Sequence, residues 1–265
     1  MFVGFFQFRP EFGCKEKNLE TIEQALDAPV FDLIVLPELC TTGYQFISRQ
    51  EVQELSEPVL EGPSTQRLSA LARRKRAYIV IGMAEEEAGA LYNSAILFGP
   101  NGYIAKYRKI HLFFEETLFF TPGSNHQSVY GINGTQVSML ICFDWIFPEV
   151  FRIAALVGAD IIAHPANLVL PYCQRAMQVR SIENRIFTIT ANRIGVEERG
   201  GKQPLIFTGC SQVTSVKGDV LVDAGSDEAI VKVVEINPLD ARDKKLNAYN
   251  SVLGSRRPEL YAGLC

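Results

Sequence analysis

The sequence predicts an α/β protein in which buried strands alternate with amphipathic helices along the whole chain. Several apolar runs lack polar alternation, which is typical of strands covered on both faces, and segments with helical spacing separate them. Chemically reactive residues, Glu38, Lys109 and Cys142, come directly after three of the predicted strands. In open α/β sheets, functional groups gather at the carboxyl ends of strands. The pattern therefore predicts the fold class and the edge at which a site forms.

The first half of the chain contains five predicted strands and two predicted helices. The first helix places Leu19, Ile22 and Leu26 on one face, and the second begins at Pro63 and ends in a basic cluster that suits the helix dipole. The turn 99–102 joins the last two strands as a hairpin. The predicted strands cover residues 1–8, 31–36, 77–83, 91–98 and 103–107, and the helices 16–28 and 63–76.

The second half continues the alternation. Residues 137–141 form an apolar run that ends on Cys142, and Pro148 followed by Glu149 is typical of a helix start. That helix extends to about Val157, where Gly158 stops it. Three further elements follow: an apolar run over 160–167, a helix over 173–187 and a strand over 229–234. The helix has Met177, Ile182 and Ile186 roughly on one side. Without repeats or linkers, residues 1–265 are predicted to form one domain with a polar tail, 240–265.

Composition excludes several functional classes. The net charge of −4 gives no sign of the excess positive charge with which proteins bind nucleic acid or acidic membranes. No apolar run approaches the length that spans a bilayer, and the start lacks the basic region of a signal peptide. The six cysteines show no C-x-x-C pair, which favours reduced thiols and a cytoplasmic location.

The three reactive residues form a chemically coherent set. A cysteine becomes a nucleophile when a base removes its proton or a nearby cation lowers its pKa. Glu38 suits the base, because a carboxylate takes a thiol proton and returns it to a leaving amine. Lys109 suits the cation that holds a thiolate and stabilises an oxyanion. Each residue taken alone also has a non-catalytic interpretation: a buried structural thiol for Cys142, a solvated basic patch around Lys109, and core packing for Trp145.

The motifs resemble those of the nitrilase superfamily of carbon–nitrogen hydrolases. Residues 36–39, 107–113, 141–149 and 164–167 carry the resemblance, which runs from the first strand to about Pro238 and keeps the order Glu, Lys, Cys. Three motifs in the right order are far more specific than one. The chain is most similar to the small, single-domain aliphatic amidase and nitrilase-like members.

The resemblance implies a four-layer α-β-β-α sandwich that pairs into dimers or larger assemblies. Separately from the resemblance, the polar tail with its tyrosines is expected to reach a neighbouring subunit, and neither a cofactor nor a metal is expected. The resemblance assigns Glu38 as general base, Lys109 as oxyanion stabiliser and Cys142 as nucleophile. The family's second glutamate matches Glu116 better than Glu115. Positions that complete the oxyanion hole or line the substrate pocket match Phe143, through its backbone N–H, and Tyr44, Trp145 and Asn167.

Two other kinds of site and one other class of protein are alternatives. A papain-like site would use Cys142 with His164 and Asn167, but His164 closes a buried run and is expected to orient a loop. A zinc site lacks ligands, since the histidines are only His111, His126 and His164. A binding protein that keeps the fold without turnover is the alternative of a different class.

The substrate stays open at this stage. Amides, nitriles, carbamoyl-amines and ω-amides of dicarboxylic acids all react through the same thiol chemistry. Among them, we expect a small aliphatic amide to be the substrate. An arginine that grips a substrate carboxylate would discriminate between them, and Arg175, Arg180 and Arg193 are the residues considered for that role.

Overall fold

The chain folds into two six-stranded sheets that face each other, with helices on the outer side of each. The structure is a computed structural model and describes residues 1–124 and 127–264. The first sheet has the order β14-β1-β2-β3-β4-β5, and the second has the order β13-β12-β9-β8-β7-β6. Strands β10 and β11 form a separate antiparallel pair.

The strands and helices alternate as the apolar pattern predicted. The strands are β1 Phe2–Gln7, β2 Leu33–Val35, β3 Tyr78–Glu87, β4 Ala90–Gly99, β5 Gly102–Arg108, β6 Tyr130–Ile132, β7 Thr135–Met139, β8 Ile161–Pro165, β9 Phe187–Ala191, β10 Ile194–Glu197, β11 Leu205–Thr208, β12 Gln212–Thr214, β13 Val220–Asp223 and β14 Ile230–Glu235. The helices are α1 Lys15–Asp27, α2 Arg49–Leu55, α3 Pro63–Lys75, α4 Glu116–Phe119, α5 Pro148–Leu156 and α6 Cys173–Asn184.

Each sheet has a parallel centre that brings strand ends to one edge. In the first sheet β1, β2 and β3 run parallel, with Val35 opposite both Phe5 and Val80. In the second sheet β7, β8 and β9 run parallel, with Ala163 opposite both Met139 and Ile189. The carboxyl ends of β2 and β7 lead directly to Glu38 and Cys142, as expected for reactive groups in α/β folds.

Two apolar cores account for the four layers. One core joins the facing sides of the two sheets and continues beneath α5 and α6, where Phe151 and Met177 are fully buried. The other lies between the first sheet and helices α1 and α3, which contribute Leu19, Ile22 and Leu68. The predicted α-β-β-α sandwich is therefore confirmed: each sheet buries one face against the other sheet and one against helices.

Some sequence-based expectations were wrong in detail. The helix expected over 173–187 ends at Asn184, because Phe187 already pairs with Ile161 in β8. Ile182 does not share a buried face with Met177, since it is 49% exposed while Met177 is fully buried. The strand expected over 137–141 ends at Met139, and Cys142 begins a short 3-10 helix, Cys142–Ile146, that the sequence did not reveal.

The polar tail starts by docking on its own chain. The Arg242 guanidinium lies 3.0 Å from the Asp160 carboxylate, and Lys244 donates to the carbonyls of Asn184 and Arg185. Tyr249 is 93% exposed, so the later part leaves apolar side chains in solvent. Within the described residues, no helix combines the length and apolar character that crossing a bilayer requires.

Candidate active site

Glu38 is held at the end of β2 by hydrogen bonds to the neighbouring strand. The backbone N–H of Gly82 in β3 donates to the Pro37 carbonyl, and the Cys40 N–H donates to the Gly82 carbonyl. A Cβ atom at Gly82 would lie only 2.4 Å from the Glu38 Cα atom, so only glycine permits this approach. The carboxylate of Glu38 is thereby fixed in a site with no exposed surface.

Lys109 follows β5 and points into the same buried space. Its Nζ atom lies 2.6 Å from Oε1 of Glu38 and 2.8 Å from Oε1 of Glu116, and the lysine side chain is fully buried. Its backbone N–H donates to the Asn93 carbonyl of β4, and its carbonyl accepts from the Gly123 N–H. An ammonium has three N–H donors, and two are engaged by carboxylates. Lys109 therefore does not belong to a solvated basic patch.

Glu116, rather than Glu115, is the acidic neighbour of Lys109. One oxygen of Glu116 accepts from Lys109 and from the Tyr44 hydroxyl at 2.6 Å, and the other accepts from the Phe113 N–H at 3.1 Å. Glu115 instead pairs with Lys202 at 2.7 Å near the surface. With every hydrogen bond made to its charged form, Glu116 fixes the orientation of the ammonium.

Cys142 occupies a sharp turn between β7 and the 3-10 helix. Its backbone φ angle is 40°, a left-handed conformation that a side-chain-bearing residue adopts only when its surroundings enforce it. Asp144 helps to enforce it, because its carboxylate accepts from the Ile141 N–H, the Tyr107 hydroxyl and the His111 ring. The turn directs a 4% exposed cysteine towards the carboxyl ends of the strands.

His164 supports this turn and is not placed to act as a base for the thiol. Its Nε2 atom lies 2.9 Å from the carbonyl oxygen of Cys142, and its Nδ1 atom lies 3.2 Å from the Thr190 hydroxyl. The carbonyl can only accept, so Nε2 carries the proton. Burial lowers the pKa of His164 to about 4. Both ring nitrogens are occupied elsewhere, which argues against the papain-like alternative.

The electrostatics favour a protonated thiol beside an unusually basic carboxylate. Burial raises the pKa of Glu38 to about 7, although the Lys109 charge favours its ionised form. Burial also raises the pKa of Cys142, and the Glu38 charge adds to this while Lys109 opposes it. For Lys109, burial acts against the charge, but Glu116 and Glu38 outweigh it and raise its pKa. The thiol therefore requires a base, and Glu38 has the matching basicity.

The two oxygens of Glu38 have different surroundings. Oε1 accepts from Lys109 Nζ and from Asn93 Nδ2 at 2.6 and 2.7 Å. Oε2 is buried and has no hydrogen-bond partner among the described residues. A buried polar atom without a partner is rare in proteins and calls for an explanation, such as a catalytic role or a missing ligand.

A small cavity opens beside the thiol. Its empty volume, including space open to solvent, is about 230 Å³. Its lining is Phe113, Cys142, Phe143, Trp145, Asn167, Leu168, Val169 and Leu170. Trp145 is thus a wall of this cavity as well as part of the core. Tyr44 lines a second cavity, on the Glu116 side.

None of the three candidate carboxylate-binding arginines lines the cavity in the described part of the chain. Arg193 is fully buried and pairs with Glu197 at 2.5 Å. Arg180 donates to the carbonyls of Trp145 and Ile146 and so caps the 3-10 helix. Arg175 is exposed on α6.

Sequence reasoning missed several residues that support the site. Asn93 lies in the middle of β4 and contacts Glu38 across the sheet. Glu197 accepts hydrogen bonds from the backbone N–H groups of Tyr44 and Gln45, at 3.0 and 2.6 Å. No motif marked these residues, because their roles depend on pairing between distant strands and loops.

The expectation that no metal or cofactor takes part remains a prediction. No group of three or more potential metal ligands was found in residues 1–124 and 127–264. His126, one of the three histidines considered as zinc ligands, lies outside the described residues.

Comparison with known proteins agrees with the geometry. The carbon-nitrogen hydrolase family model matches residues 3–245. A protein from Pyrococcus abyssi named nitrilase is 45% identical over 262 residues, covering 98% of each chain. An (R)-stereoselective amidase from a Pseudomonas species is 34% identical over 209 residues, covering 78% of this chain and 73% of its own.

Solved structures share the fold. A mutant of the amidase from Nesterenkonia sp. AN1 in complex with butyramide superimposes with a TM-score of 0.80 at 26% identity, covering 100% of this chain and 97% of the other. The same amidase is described, for another of its mutants, as a member of the nitrilase superfamily. The alternative of a binding protein without turnover is therefore not retained. The chain belongs to the carbon–nitrogen hydrolase family, the nitrilase superfamily, and is a hydrolase that acts on carbon–nitrogen bonds.

Proposed function

We propose that this protein is an amidase that hydrolyses a small, uncharged aliphatic amide to a carboxylic acid and ammonia. The observation that carries the proposal is the arrangement around Glu38. Lys109 and Asn93 occupy one carboxylate oxygen, the other is buried without a partner among the described residues, and the charge of Glu38 acts on the Cys142 thiol. A carboxylate in this state is a general base with a free acceptor site.

In the first half of the reaction, Glu38 removes the Cys142 proton and the sulfur attacks the carbonyl carbon of the amide. The new carbon–sulfur bond gives a tetrahedral intermediate whose oxygen carries the negative charge. The carbon–nitrogen bond then breaks while Glu38 returns its proton to the nitrogen. Ammonia leaves and a thioester on Cys142 remains.

In the second half, water hydrolyses the thioester. Glu38, again ionised, takes a proton from water, and the resulting hydroxide attacks the thioester carbon. The carbon–sulfur bond breaks, the sulfur regains the proton from Glu38, and the carboxylic acid leaves. Both halves use one base with a pKa of about 7, which suits proton transfer in either direction near neutral pH.

The oxyanion is stabilised by Lys109 and by the backbone N–H of Phe143. Two of the three ammonium N–H donors contact Glu38 and Glu116, so the third is available for the developing charge. Glu116 acts through Lys109 by holding the ammonium in position. Donors preorganised in a water-excluded site act more strongly than donors in water.

The cavity favours a short, uncharged acyl chain. Its walls are mainly aromatic and aliphatic side chains, and no arginine or lysine lies among the lining residues. A substrate carboxylate would lose its hydration without gaining an ionic partner. This argues against ω-amides of dicarboxylic acids, and the butyramide complex of the Nesterenkonia amidase supports a short aliphatic amide. Nitriles and carbamoyl-amines are the remaining alternatives.

A panel of substrates tests the proposal. Ammonia release is measured with short amides, nitriles, carbamoyl-amines and ω-amides, and the short amides are expected to react fastest. Cys142→Ala should abolish turnover and retain the fold, whereas Cys14→Ala, which changes a thiol near the surface, should retain activity. Iodoacetamide should inactivate the enzyme as one thiol is lost, and substrate should protect. Turnover by the Cys142→Ala variant would refute the mechanism.

We also propose that one domain, residues 1–265, assembles into a homodimer or larger oligomer in the cytoplasm. Exposed apolar side chains on the tail, including Leu246, Tyr249 and Leu260, support a partner contact. Free thiols at five described cysteines suit a reducing compartment. Light scattering of the intact protein and of a Tyr249→Asp variant tests the tail contact, because a buried interface charge should weaken the assembly.

A further inference from the structure

Asn167 carries a second buried acceptor atom without a partner beside the nucleophile. Its Oδ1 atom is excluded from solvent and has no hydrogen-bond partner in the part of the chain that the structure describes. Asn167 is 2% exposed and lines the same cavity as Cys142. The side chain is therefore close to the position of the reacting carbon.

The orientation of the Asn167 amide is fixed by its other end. Nδ2 donates to the backbone carbonyl of Glu38 at 2.9 Å, and a carbonyl oxygen can only accept. Oδ1 must therefore be the unpaired atom. The same hydrogen bond joins Asn167 to Glu38, whose Oε2 is another unpaired acceptor of the site. The two unpaired acceptors thus belong to residues that contact each other directly.

We propose that Asn167 Oδ1 accepts an N–H of the substrate's –NH₂ group and so makes the site selective for primary amides. This inference depends on the proposed amidase function and identifies Asn167 as the residue that distinguishes primary amides from other acyl compounds. With one N–H directed to Asn167, the nitrogen presents its remaining side to Glu38, which delivers the proton that releases ammonia.

The unpaired Oδ1 atom of Asn167 predicts that a nitrile or an ester is a poorer substrate than the amide. A nitrile nitrogen and an ester oxygen have no hydrogen to donate, so either compound leaves Asn167 Oδ1 buried and unpaired. Sites built to bind an N–H discriminate strongly against analogues that lack it, because the polar group of the site stays desolvated. We expect the amide to be favoured by ~10- to 100-fold through this contact alone.

The first experiment compares kcat/KM for a short amide, the nitrile of the same chain and the methyl ester of the same acid. In the Asn167→Ala variant, kcat/KM for the amide should fall ~10- to 100-fold more than for the ester or the nitrile. Asn184→Ala is the matched control, since Asn184 is also buried with an unpaired Oδ1 but lies at the end of α6. Its substrate ratios should equal those of the unmodified enzyme.

A second measurement leaves Asn167 intact. The Cys142→Ala variant binds without reacting, and calorimetry should show the amide binding at least ~10-fold more tightly than the ester or nitrile of the same chain. Equal affinities would overturn the inference, and this measurement decides the question if Asn167→Ala does not fold.

The outcomes separate the two proposals. If the unmodified enzyme releases no ammonia from any amide, the proposed function fails. If it hydrolyses amides but Asn167→Ala lowers kcat/KM equally for amide, nitrile and ester, the function stands and the role of Asn167 is refuted.

Discussion

Lys109 and Glu38 form an ion pair of 2.6 Å in which neither side chain reaches solvent, although the residues are 71 positions apart in the sequence. Removing two charges from water is costly, and further hydrogen bonds to the pair offset part of that cost. Glu116 supplies a second carboxylate to the ammonium, and Asn93 supplies a second donor to Glu38. The site is therefore one connected charge network, and a change in any member alters the others.

Replacing Lys109 by Met tests this network. The variant loses an oxyanion donor, so kcat should fall about 100- to 1000-fold. It also leaves Glu38 and Glu116 without their shared cation, and thermal unfolding should show a loss of about 3–5 kcal/mol in stability. Lys106→Met is the control, because Lys106 pairs with Glu85 and Glu87 of β3, and its replacement should leave kcat unchanged. Full activity of the Lys109 variant would contradict the assignment.

The pH dependence of kcat/KM reports the ionisation of Glu38. As the proposed base, Glu38 would have to be ionised to take the thiol proton, and burial raises its pKa to about 7. Activity should therefore fall as the pH decreases through about 7, well above the range of an ordinary glutamate. The Asn93 hydrogen bond favours the ionised form, so Asn93→Ala should move this acidic limb to higher pH. A limb that stays in place or moves to lower pH would argue against Glu38 as the base.

The strand ends were predictable from sequence, and the contacts across strands were not. Glu38 and Cys142 follow unbroken apolar runs, so their position at the sheet edge follows from local pattern alone. Asn93 sits in the middle of β4, and its contact with Glu38 depends on the pairing of β3 with β4. Ile182 fitted a helical apolar face, yet it is exposed because the helix turns that side away from the sheet.

Distant charge pairs were also invisible in the sequence. Arg193 was one of three candidate ligands for a substrate carboxylate, and the sequence alone does not place its side chain. In the structure its guanidinium is fully buried against Glu197 and the Pro10 carbonyl. Glu197 of β10 contacts the loop that carries Tyr44, and no local sequence pattern predicts this contact between distant segments.

The pair Arg193–Glu197 should therefore control the position of Tyr44. Glu197→Ala removes the acceptor for two backbone N–H groups and leaves Arg193 buried without its charge partner, so stability should fall by about 3–5 kcal/mol. Urea unfolding measures this change. Glu198→Ala, at the exposed neighbouring position, should stay within about 0.5 kcal/mol of the unmodified protein. Similar losses for both variants would show that the pair has no special role.

Gly82 provides the last prediction, because a single added methyl group at this position would displace Glu38. A Cβ atom there would lie 2.4 Å from Glu38 Cα and 2.7 Å from Leu39 N, so Gly82→Ala must push the Glu38 backbone away from β3. Overpacking of this kind costs about 1–3 kcal/mol, and a displacement of about 1 Å at a catalytic group can reduce the rate about 100-fold. Stability measured by denaturant and kcat measured by ammonia release should therefore both decrease. Gly131→Ala is the matched control, since its nearest neighbour would be Gln136 at 3.7 Å, and it should retain full kcat. If Gly82→Ala retained the kcat of the unmodified enzyme, the exact placement of Glu38 would not limit the reaction.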